Sequence, residues 1–254
     1  MFTTLEVSAE GAIGSLWLNR PERLNALSIT ALEELAAAAR WFDTRQEVRV
    51  VIVGGRGRAF SAGADLDGFP ALTDAGVREA ADAGRLMADA LETMKAVCIA
   101  RIQGWCVGGG LVLAAACDLR VAADTARFSI PEVDLGIPLA WGGIPRLVRE
   151  IGPALTRELV ITCREFGAEE ARDCGFLNRV VSADALDAEV ENLAGQVASK
   201  PVYPVAATKA HVAAVTEQMV GTRHAWSDAD GLIGGLLDPE CGRAREAYIR
   251  ARGR

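Results

Sequence analysis

The hydrophobic positions in the first half of the chain form short apolar runs that alternate with segments of helical periodicity. Apolar runs of strand length cover residues 13–18, 48–53, 97–102 and 119–122. Between these runs, apolar residues recur at helical spacing at Leu32, Leu35, Ala36 and Ala39 and again at Leu86, Ala90, Leu91 and Met94. Because strands that alternate with helices usually build parallel sheets with crossover helices, we expect a parallel α/β fold.

The pattern changes after Gly142. Only residues 179–181 remain strand-like there, and the rest of the apolar positions follow helical spacing near residues 143–151, 154–163, 184–199, 203–219 and 240–251. The C-terminal third therefore has no strands to cover, and its helices must pack on the core or on another subunit. Earlier in the chain, residues 30–33 read Thr-Ala-Leu-Glu, which predicts a capping box that begins a helix ending near Trp41.

A glycine-rich stretch at residues 104–110 follows the apolar run 97–102 and precedes a buried-helix pattern. Three consecutive glycines, Gly108 to Gly110, leave backbone N–H groups unshielded by side chains. The first N–H groups of a helix have no partner within it, so such a site can hold an anion or an oxygen that becomes anionic. The spacing fits neither a dinucleotide fingerprint nor a phosphate loop. The alternative is that the glycines only allow close helix–strand packing.

Composition excludes several classes of function. The chain has 254 residues, half of them hydrophobic, and a net charge of -7, which argues against nucleic acid or an anionic membrane as a partner. Six cysteines lack Cys-x-x-Cys spacing and only two histidines, His211 and His224, are present, so no metal site is expected. The N-terminus does not resemble a signal peptide, and no apolar run reaches the length of a membrane span. These features predict a cytoplasmic protein without a membrane segment.

Five motifs, in this order along the chain, resemble those of the crotonase family, the enoyl-CoA hydratase/isomerase superfamily. They lie at residues 19–27, 58–66, 104–110, 117–120 and 128–136. The resemblance covers roughly residues 5–220. It implies a spiral of ββα units at residues 1–195 and a helical trimerisation region at residues 196–254, assembled as a homotrimer or a dimer of trimers. It also implies an acyl-CoA thioester as substrate, with coenzyme A as part of that substrate and no permanently bound cofactor.

The resemblance assigns the thioester carbonyl to two backbone N–H groups, those of Ala64 and Gly109. Loss of an α-proton places negative charge on the carbonyl oxygen, and donors aimed at that oxygen stabilise the transition state. The catalytic glutamate of the family matches Glu132. The alternatives for Glu132 are a carboxylate at a helix start or a surface ion pair.

Position 112 departs from the family's hydratases, which carry a second glutamate where this chain has Val112. Hydration needs one group to activate water and another to manage the α-proton, and a valine does neither. A single carboxylate suffices to move a proton between two carbons, as the family's enoyl-CoA isomerases do. The sequence thus favours isomerisation. The alternatives are a hydratase whose second acid/base is unidentified and a non-catalytic acyl-CoA binding protein.

Several other positions also have expected roles. The resemblance places the nucleotide end of coenzyme A near five residues: Arg23, Ala26, Ala62, Asp65 and Leu66. Val112 and Ala140 should border the acyl group, and Ala140 replaces an aspartate of the dienoyl-CoA isomerases. Trp141 stands at a position that is usually small in the family, so it either narrows the acyl pocket or belongs to the core. Asp67 is expected to be a solvated loop charge, with a catalytic carboxylate as the alternative, and the two histidines are expected to be structural.

Overall fold

A computed structural model of the protein describes residues 2–66, 74–222, 225 and 228–251. Within these residues the strands are β1 (Leu5–Glu10), β2 (Ile13–Leu18), β3 (Val50–Gly55), β4 (Val97–Ile102), β5 (Trp105–Val107), β6 (Leu119–Ala123), β7 (Arg127–Ser129), β8 (Phe166–Gly167) and β9 (Arg179–Val181). The α-helices there are α1 (Ile29–Asp43), α2 (Asp74–Thr93), α3 (Gly109–Ala115), α4 (Gly143–Thr162), α5 (Ala168–Asp173), α6 (Leu186–Ala198), α7 (Val202–Val220), α8 (Asp228–Leu237) and α9 (Pro239–Ala251).

The larger of two sheets has the strand order β1-β2-β3-β4-β6-β9. β1 pairs antiparallel with β2, and every later pair of neighbours in this sheet is parallel. The predicted parallel sheet is confirmed. The edge strand β1 was not predicted, because its burial alternates along the strand and it therefore carries no continuous apolar run.

The central strand β3 is buried along its whole length, as its Val/Ile composition predicts. Val51 and Val53 belong to the main core, which includes the apolar sides of α1 and α2. Val50 and Ile52 belong to a second cluster formed with α6. The sheet therefore has helices on both faces, and its strands hold the loops that follow them in fixed positions.

Two ββα units give the chain its spiral path. In the first, β4 joins the larger sheet, β5 joins a smaller sheet of order β5-β7-β8, and α3 follows. In the second, β6 joins the larger sheet, β7 the smaller, and α4 comes next in the chain. The start of α3 meets the end of β7, where Gly108 N donates to Ser129 O at 2.9 Å. The smaller sheet was not predicted, since its strands are only two or three residues long.

Two helix predictions need correction. The capping box predicted at residues 30–33 is wrong, because α1 begins earlier and Ser28 is its N-cap. The Ser28 hydroxyl oxygen accepts a hydrogen bond from Ala31 N at 3.2 Å, which satisfies the helix start before Thr30 is reached. The segments predicted at 143–151 and 154–163 are the two halves of α4, which is interrupted at Gly152, where φ is +75°.

The C-terminal helices differ in how they meet the core. Within the described residues, α7 buries none of its side chains, and Tyr203 is 83% exposed. By contrast, α8 packs against α2 and buries Leu232. The predicted division between residues 195 and 196 falls inside α6, and both that division and the trimeric assembly remain predictions. None of the described helices is long and apolar enough to cross a membrane.

Candidate active site

The loop at residues 61–65 is held by backbone hydrogen bonds on both sides. On one side, Leu27 N donates to Gly63 O at 2.8 Å. On the other side, Val107 N donates to Ser61 O at 3.0 Å. The loop therefore bridges the segment that precedes α1 and the short strand β5, and its backbone atoms have fixed positions.

Glycines allow this loop to touch the start of α3. Gly63 has a φ of +86°, and a Cβ atom there would lie 2.7 Å from Val107 O and 3.4 Å from Gly109 N. A Cβ atom on Gly110 would lie 2.8 Å from the Cβ atom of Ser61. Side chains at Gly63 and Gly110 would thus push the loop and the helix apart. The glycines do permit close packing, and this packing brings the 61–65 loop against the N-terminus of α3.

The N–H groups of Ala64 and Gly109 are unused in this arrangement. Neither donates a hydrogen bond to any described residue, whereas the adjacent Asp65 N donates to Leu27 O at 3.0 Å. Gly109 is the first residue of α3, where the helix leaves its N–H groups unpaired and its dipole favours negative charge. Both groups are donors without a protein acceptor in the described chain, as stabilisation of an oxyanion requires.

The carboxyl group of Glu132 lies against the start of α3. Glu132 belongs to a turn after β7 in which Ile137 N donates to Glu132 O at 2.9 Å. A side chain at Gly108 would overlap with the Glu132 Oε1 atom. Gly108 precedes Gly109, so the carboxyl group is next to one of the two unused N–H groups. The alternatives of a helix-start carboxylate and a surface ion pair both fail within the described residues, since Glu132 is in a turn and has no charged partner there.

Burial changes the protonation of Glu132. Part of the residue reaches solvent, but its Oε2 atom has almost no exposed surface and no hydrogen-bond partner within the described chain. Because desolvation penalises the charged form, the pKa of Glu132 rises from 4.5 to about 7. A carboxyl group with this pKa both accepts and returns protons near neutral pH, which suits general acid–base catalysis.

The three predicted catalytic residues border one small cavity of about 30 Å³. Its lining residues are Ala64, Gly109, Glu132, Ile137, Pro138, Leu139, Ala140, Trp141 and Leu232. A larger cavity of about 700 Å³ lies beside α7 and contains none of the three. Of these two cavities, the small one brings Glu132 and its unpartnered Oε2 atom together with the N–H donors of Ala64 and Gly109, so chemistry indicates the site better than size does.

The residues expected near the nucleotide end of coenzyme A lie around the same loop. Asp65 is buried and forms ion pairs with Arg20 Nη1 at 2.8 Å and with Arg23 Nη2 at 3.2 Å. Burial alone raises the pKa of Asp65, but the hydrogen bonds and charges of the two arginines outweigh it, and the net pKa is lowered. Ala26 is buried next to these residues, and Arg20 Nη1 also donates to its carbonyl oxygen at 2.7 Å.

Residues 8–230 match the family model described as enoyl-CoA hydratase/isomerase. The chain belongs to the enoyl-CoA hydratase/isomerase family. It is 35% identical over 210 residues to the crotonyl-CoA hydratase of Syntrophomonas wolfei, covering 82% of this chain and 81% of that protein. It is 34% identical over 225 residues to a peroxisomal Delta(3,5)-Delta(2,4)-dienoyl-CoA isomerase of Arabidopsis thaliana, covering 82% and 81%.

A solved structure agrees with the assignment to the enoyl-CoA hydratase/isomerase family. The enoyl-CoA hydratase/isomerase from Xanthobacter autotrophicus Py2 superimposes with a TM-score of 0.90 at 27% identity, covering 100% of both chains. The predicted crotonase fold is therefore confirmed. Since the relatives include a hydratase and an isomerase, family membership does not by itself choose between the two reactions.

Val112, the position at which this family's hydratases carry a second glutamate, is not on the cavity wall. Its side chain is fully buried in the core, and a Cβ atom on Gly143 would lie 2.8 Å from Val112 Cγ2 and 2.9 Å from Leu139 Cγ. Leu139 lines this cavity and Val112 does not, and the contact of Val112 with the acyl group remains a prediction. Ala140 does line the cavity and carries no carboxylate.

Several features of the site lay outside the sequence prediction. Leu232 reaches the cavity from α8, more than 90 positions after Trp141 in the chain, and no local motif indicates such a contact. Asp67 and His224 lie outside the described residues, and His211 is exposed on α7. No group of three or more His, Cys, Asp or Glu side chains in the described chain is arranged to hold a metal ion, and the six cysteines are free thiols.

Proposed function

We propose that this enzyme transfers a proton within enoyl-CoA thioesters and favours double-bond isomerisation, with Glu132 as its single acid/base. The observation that carries the proposal is that the Oε2 atom of Glu132 has no hydrogen-bond partner in the described chain and that Glu132 borders the same cavity as Ala64 and Gly109. Its pKa of about 7 lets the carboxylate take a proton and return it without a second group.

The proposed reaction has two proton transfers. Glu132 removes an α-proton from a 3-enoyl thioester, and the electron pair of the broken C–H bond shifts into the conjugated system to give a dienolate. The N–H groups of Ala64 and Gly109 donate to the enolate oxygen, and each such donor is worth roughly 3 kcal/mol in the transition state. The protonated Glu132 then returns the proton to the γ-carbon, which leaves a 2-enoyl thioester with no net gain or loss of atoms.

The absence of a second carboxylate at position 112 supports isomerisation over hydration. Val112 is fully buried and adjoins Gly143, so this position supplies neither charge nor a site for water. The second candidate function is enoyl-CoA hydration, and the relative named crotonyl-CoA hydratase favours it. Hydration by this chain would require another residue to assist Glu132.

The two candidates are separated by incubating the enzyme with matched 2-enoyl- and 3-enoyl-CoA esters and identifying products by mass spectrometry and NMR. We expect isomerisation of the 3-enoyl ester to exceed hydration of the 2-enoyl ester. The proposal is wrong if water addition dominates. Turnover of neither ester, together with no exchange of the α-proton in deuterated solvent, would instead indicate an acyl-CoA binding protein.

Val112→Glu provides a second arm of the same experiment, with Val112→Gln as the uncharged control of similar size. We expect Val112→Glu to raise hydration modestly, because a buried charge in this packed position also costs stability. Val112→Gln should not raise hydration, and adding Glu132→Gln to Val112→Glu should remove the gain. Equal hydration by the two Val112 variants would show that the carboxylate is not what limits water addition.

A further inference from the structure

The indole ring of Trp141 is packed between two glycines from different helices. A side chain on Gly84 in α2 would overlap with the five-membered part of the ring, at Cγ, Cδ1 and Cδ2. A side chain on Gly109 would overlap with the six-membered part, at Cζ3, Cη2 and Cε3. The ring therefore fills the space between α2 and the start of α3, on the side of Gly109 where a Cβ atom would point.

The backbone of Trp141 is held in a conformation that bulky residues rarely adopt. Its φ is +61°, in the left-handed region. Arg146, which is fully buried, donates from Nη1 to Trp141 O at 3.2 Å, and Gly142 N donates to Asp228 Oδ2 at 2.8 Å. Such a conformation persists only where surrounding contacts impose it, and it is common at functional sites. These contacts fix the direction in which the indole points.

The fixed indole leaves little room next to the catalytic groups. The cavity bordered by Glu132 and Gly109 measures about 30 Å³. Pockets for drug-sized ligands are about tenfold larger or more. Trp141, Leu139 and Leu232 contribute apolar side chains to the cavity wall. An alkyl chain placed in this cavity would meet the indole, which forms part of that wall.

We propose that Trp141 is a specificity-determining residue that restricts the enzyme to short-chain acyl thioesters of the butyryl and crotonyl size. The inference rests on the proposed function for the location of the acyl group, but not on the direction of proton transfer. Replacing the indole by a methyl group would enlarge the cavity by the volume that the ring fills between Gly84 and Gly109. The wild-type enzyme discriminates against long chains by steric exclusion, and the Trp141→Ala variant loses that discrimination.

Binding of saturated acyl-CoA thioesters tests this without requiring turnover. Butyryl-, hexanoyl- and octanoyl-CoA have no double bond, so their dissociation constants measured by calorimetry report pocket size alone. We expect wild-type affinity to decrease by about tenfold or more from butyryl- to octanoyl-CoA. In Trp141→Ala, octanoyl-CoA should bind at least as tightly as butyryl-CoA. Burial of two or three methylene groups in the enlarged pocket stabilises the complex enough to offset a tenfold loss of affinity. Trp141→Leu should be intermediate and serves if the alanine variant does not fold.

Trp41→Ala is the matched control, because it makes the same truncation on α1, where Trp41 is half-buried against Phe42 and Arg45 and outside the cavity wall. It should keep the wild-type preference. Equal binding of butyryl- and octanoyl-CoA by the wild type would overturn the inference. If the preference follows Trp141 but no enoyl-CoA is converted, the proposed reaction fails and the inference stands. If conversion occurs without the preference, the reverse holds.

Discussion

Asp65 and Glu132 are two buried carboxyl groups near the same loops, yet their surroundings shift them in opposite directions. Asp65 is paired with Arg20 and Arg23, and its pKa is lowered. Glu132 has an unpartnered Oε2 atom within the described chain, and its pKa is raised to about 7. Burial penalises the charge of both groups, so the difference comes from the arginines.

The two carboxyl groups therefore suit different roles: Asp65 stabilises the structure of the site, and Glu132 has the pKa of a group that exchanges protons. The ion pairs of Asp65 tie the 61–65 loop to the segment before α1, next to the N–H group of Ala64. For Glu132, desolvation outweighs the backbone hydrogen bond that favours the ionised form, and its burial therefore costs stability at neutral pH. We infer that Asp65 positions the loop and Glu132 performs the proton transfer. Three experiments test this division of roles.

The largest effect is expected for Glu132→Gln. The amide keeps the shape of the side chain but is not a base, and loss of a general base typically lowers the rate by about 10²–10⁴. Exchange of the substrate α-proton with deuterated solvent, followed by NMR, measures this directly. In the wild type, kcat/KM should rise with pH through about 7, the pKa at which the base becomes ionised.

Affinity for butyryl-CoA provides the control for this variant, and it should change by less than about tenfold if only proton transfer is lost. Wild-type rates of exchange in Glu132→Gln would show that another group is the base. In that case the contrast between the two carboxyl groups would have no bearing on catalysis, and Asp67 would be the next residue to replace.

A smaller effect, on stability, is expected for Asp65→Asn. The change leaves Arg20 and Arg23 beside a neutral amide, and we expect a loss of about 1–3 kcal/mol, less than for a fully buried pair because both arginines are partly exposed. Since the folded pKa of Asp65 lies below 3.8, its contribution is present above that pH and is lost as pH falls through the folded pKa. Urea unfolding at pH 7 measures it. A variant as stable as the wild type would contradict the structural role.

The smallest of the three expected effects is also on stability, but it is a gain instead of a loss. The folded pKa of Glu132 is raised, so its carboxyl group favours the folded state below pH 4.5 and this contribution is lost as pH rises through about 7. Glu132→Gln should therefore be more stable than the wild type at pH 8. Each pKa unit corresponds to about 1.4 kcal/mol, which gives an upper bound of about 3 kcal/mol. Thermal unfolding at pH 8 and pH 5 checks it, and a gain that is equal at both pH values would exclude titration as the cause.

Much of the fold could be predicted from the sequence because long apolar runs are unambiguous. β2 and β4 occur at the predicted residues, and α3 follows the glycines as expected. The prediction fails where a strand is too short to show a pattern or where two residues could both cap the same helix. β8 has only two residues, so no periodicity exists to detect. Ser28 and Thr30 are both good capping residues, and only the tertiary path of the chain selects Ser28.

The sequence identified the residues of the candidate site, but it did not predict their protonation or their long-range contacts. The motifs indicated Ala64, Gly109 and Glu132, and the structure brings all three to one cavity. The raised pKa of Glu132 was not predictable, because it depends on the lack of a partner within the described chain, which is a property of the whole neighbourhood. The contact between Trp141 and Gly84 was hidden for the same reason, since it joins residues 57 positions apart.

The packing of the Trp141 ring against Gly84 makes the order of mutations matter during divergence of this sequence. While the indole is present, even alanine at position 84 would collide with it, so this position in α2 requires glycine, which costs about 1 kcal/mol in helix propensity relative to alanine. Once Trp141 is replaced by a smaller residue, Gly84→Ala becomes favourable and removes the space that the ring needs. Restoring tryptophan would then require reversing both substitutions. The proposed narrow acyl pocket would therefore be lost by one substitution at position 141, whereas its recovery would require two substitutions.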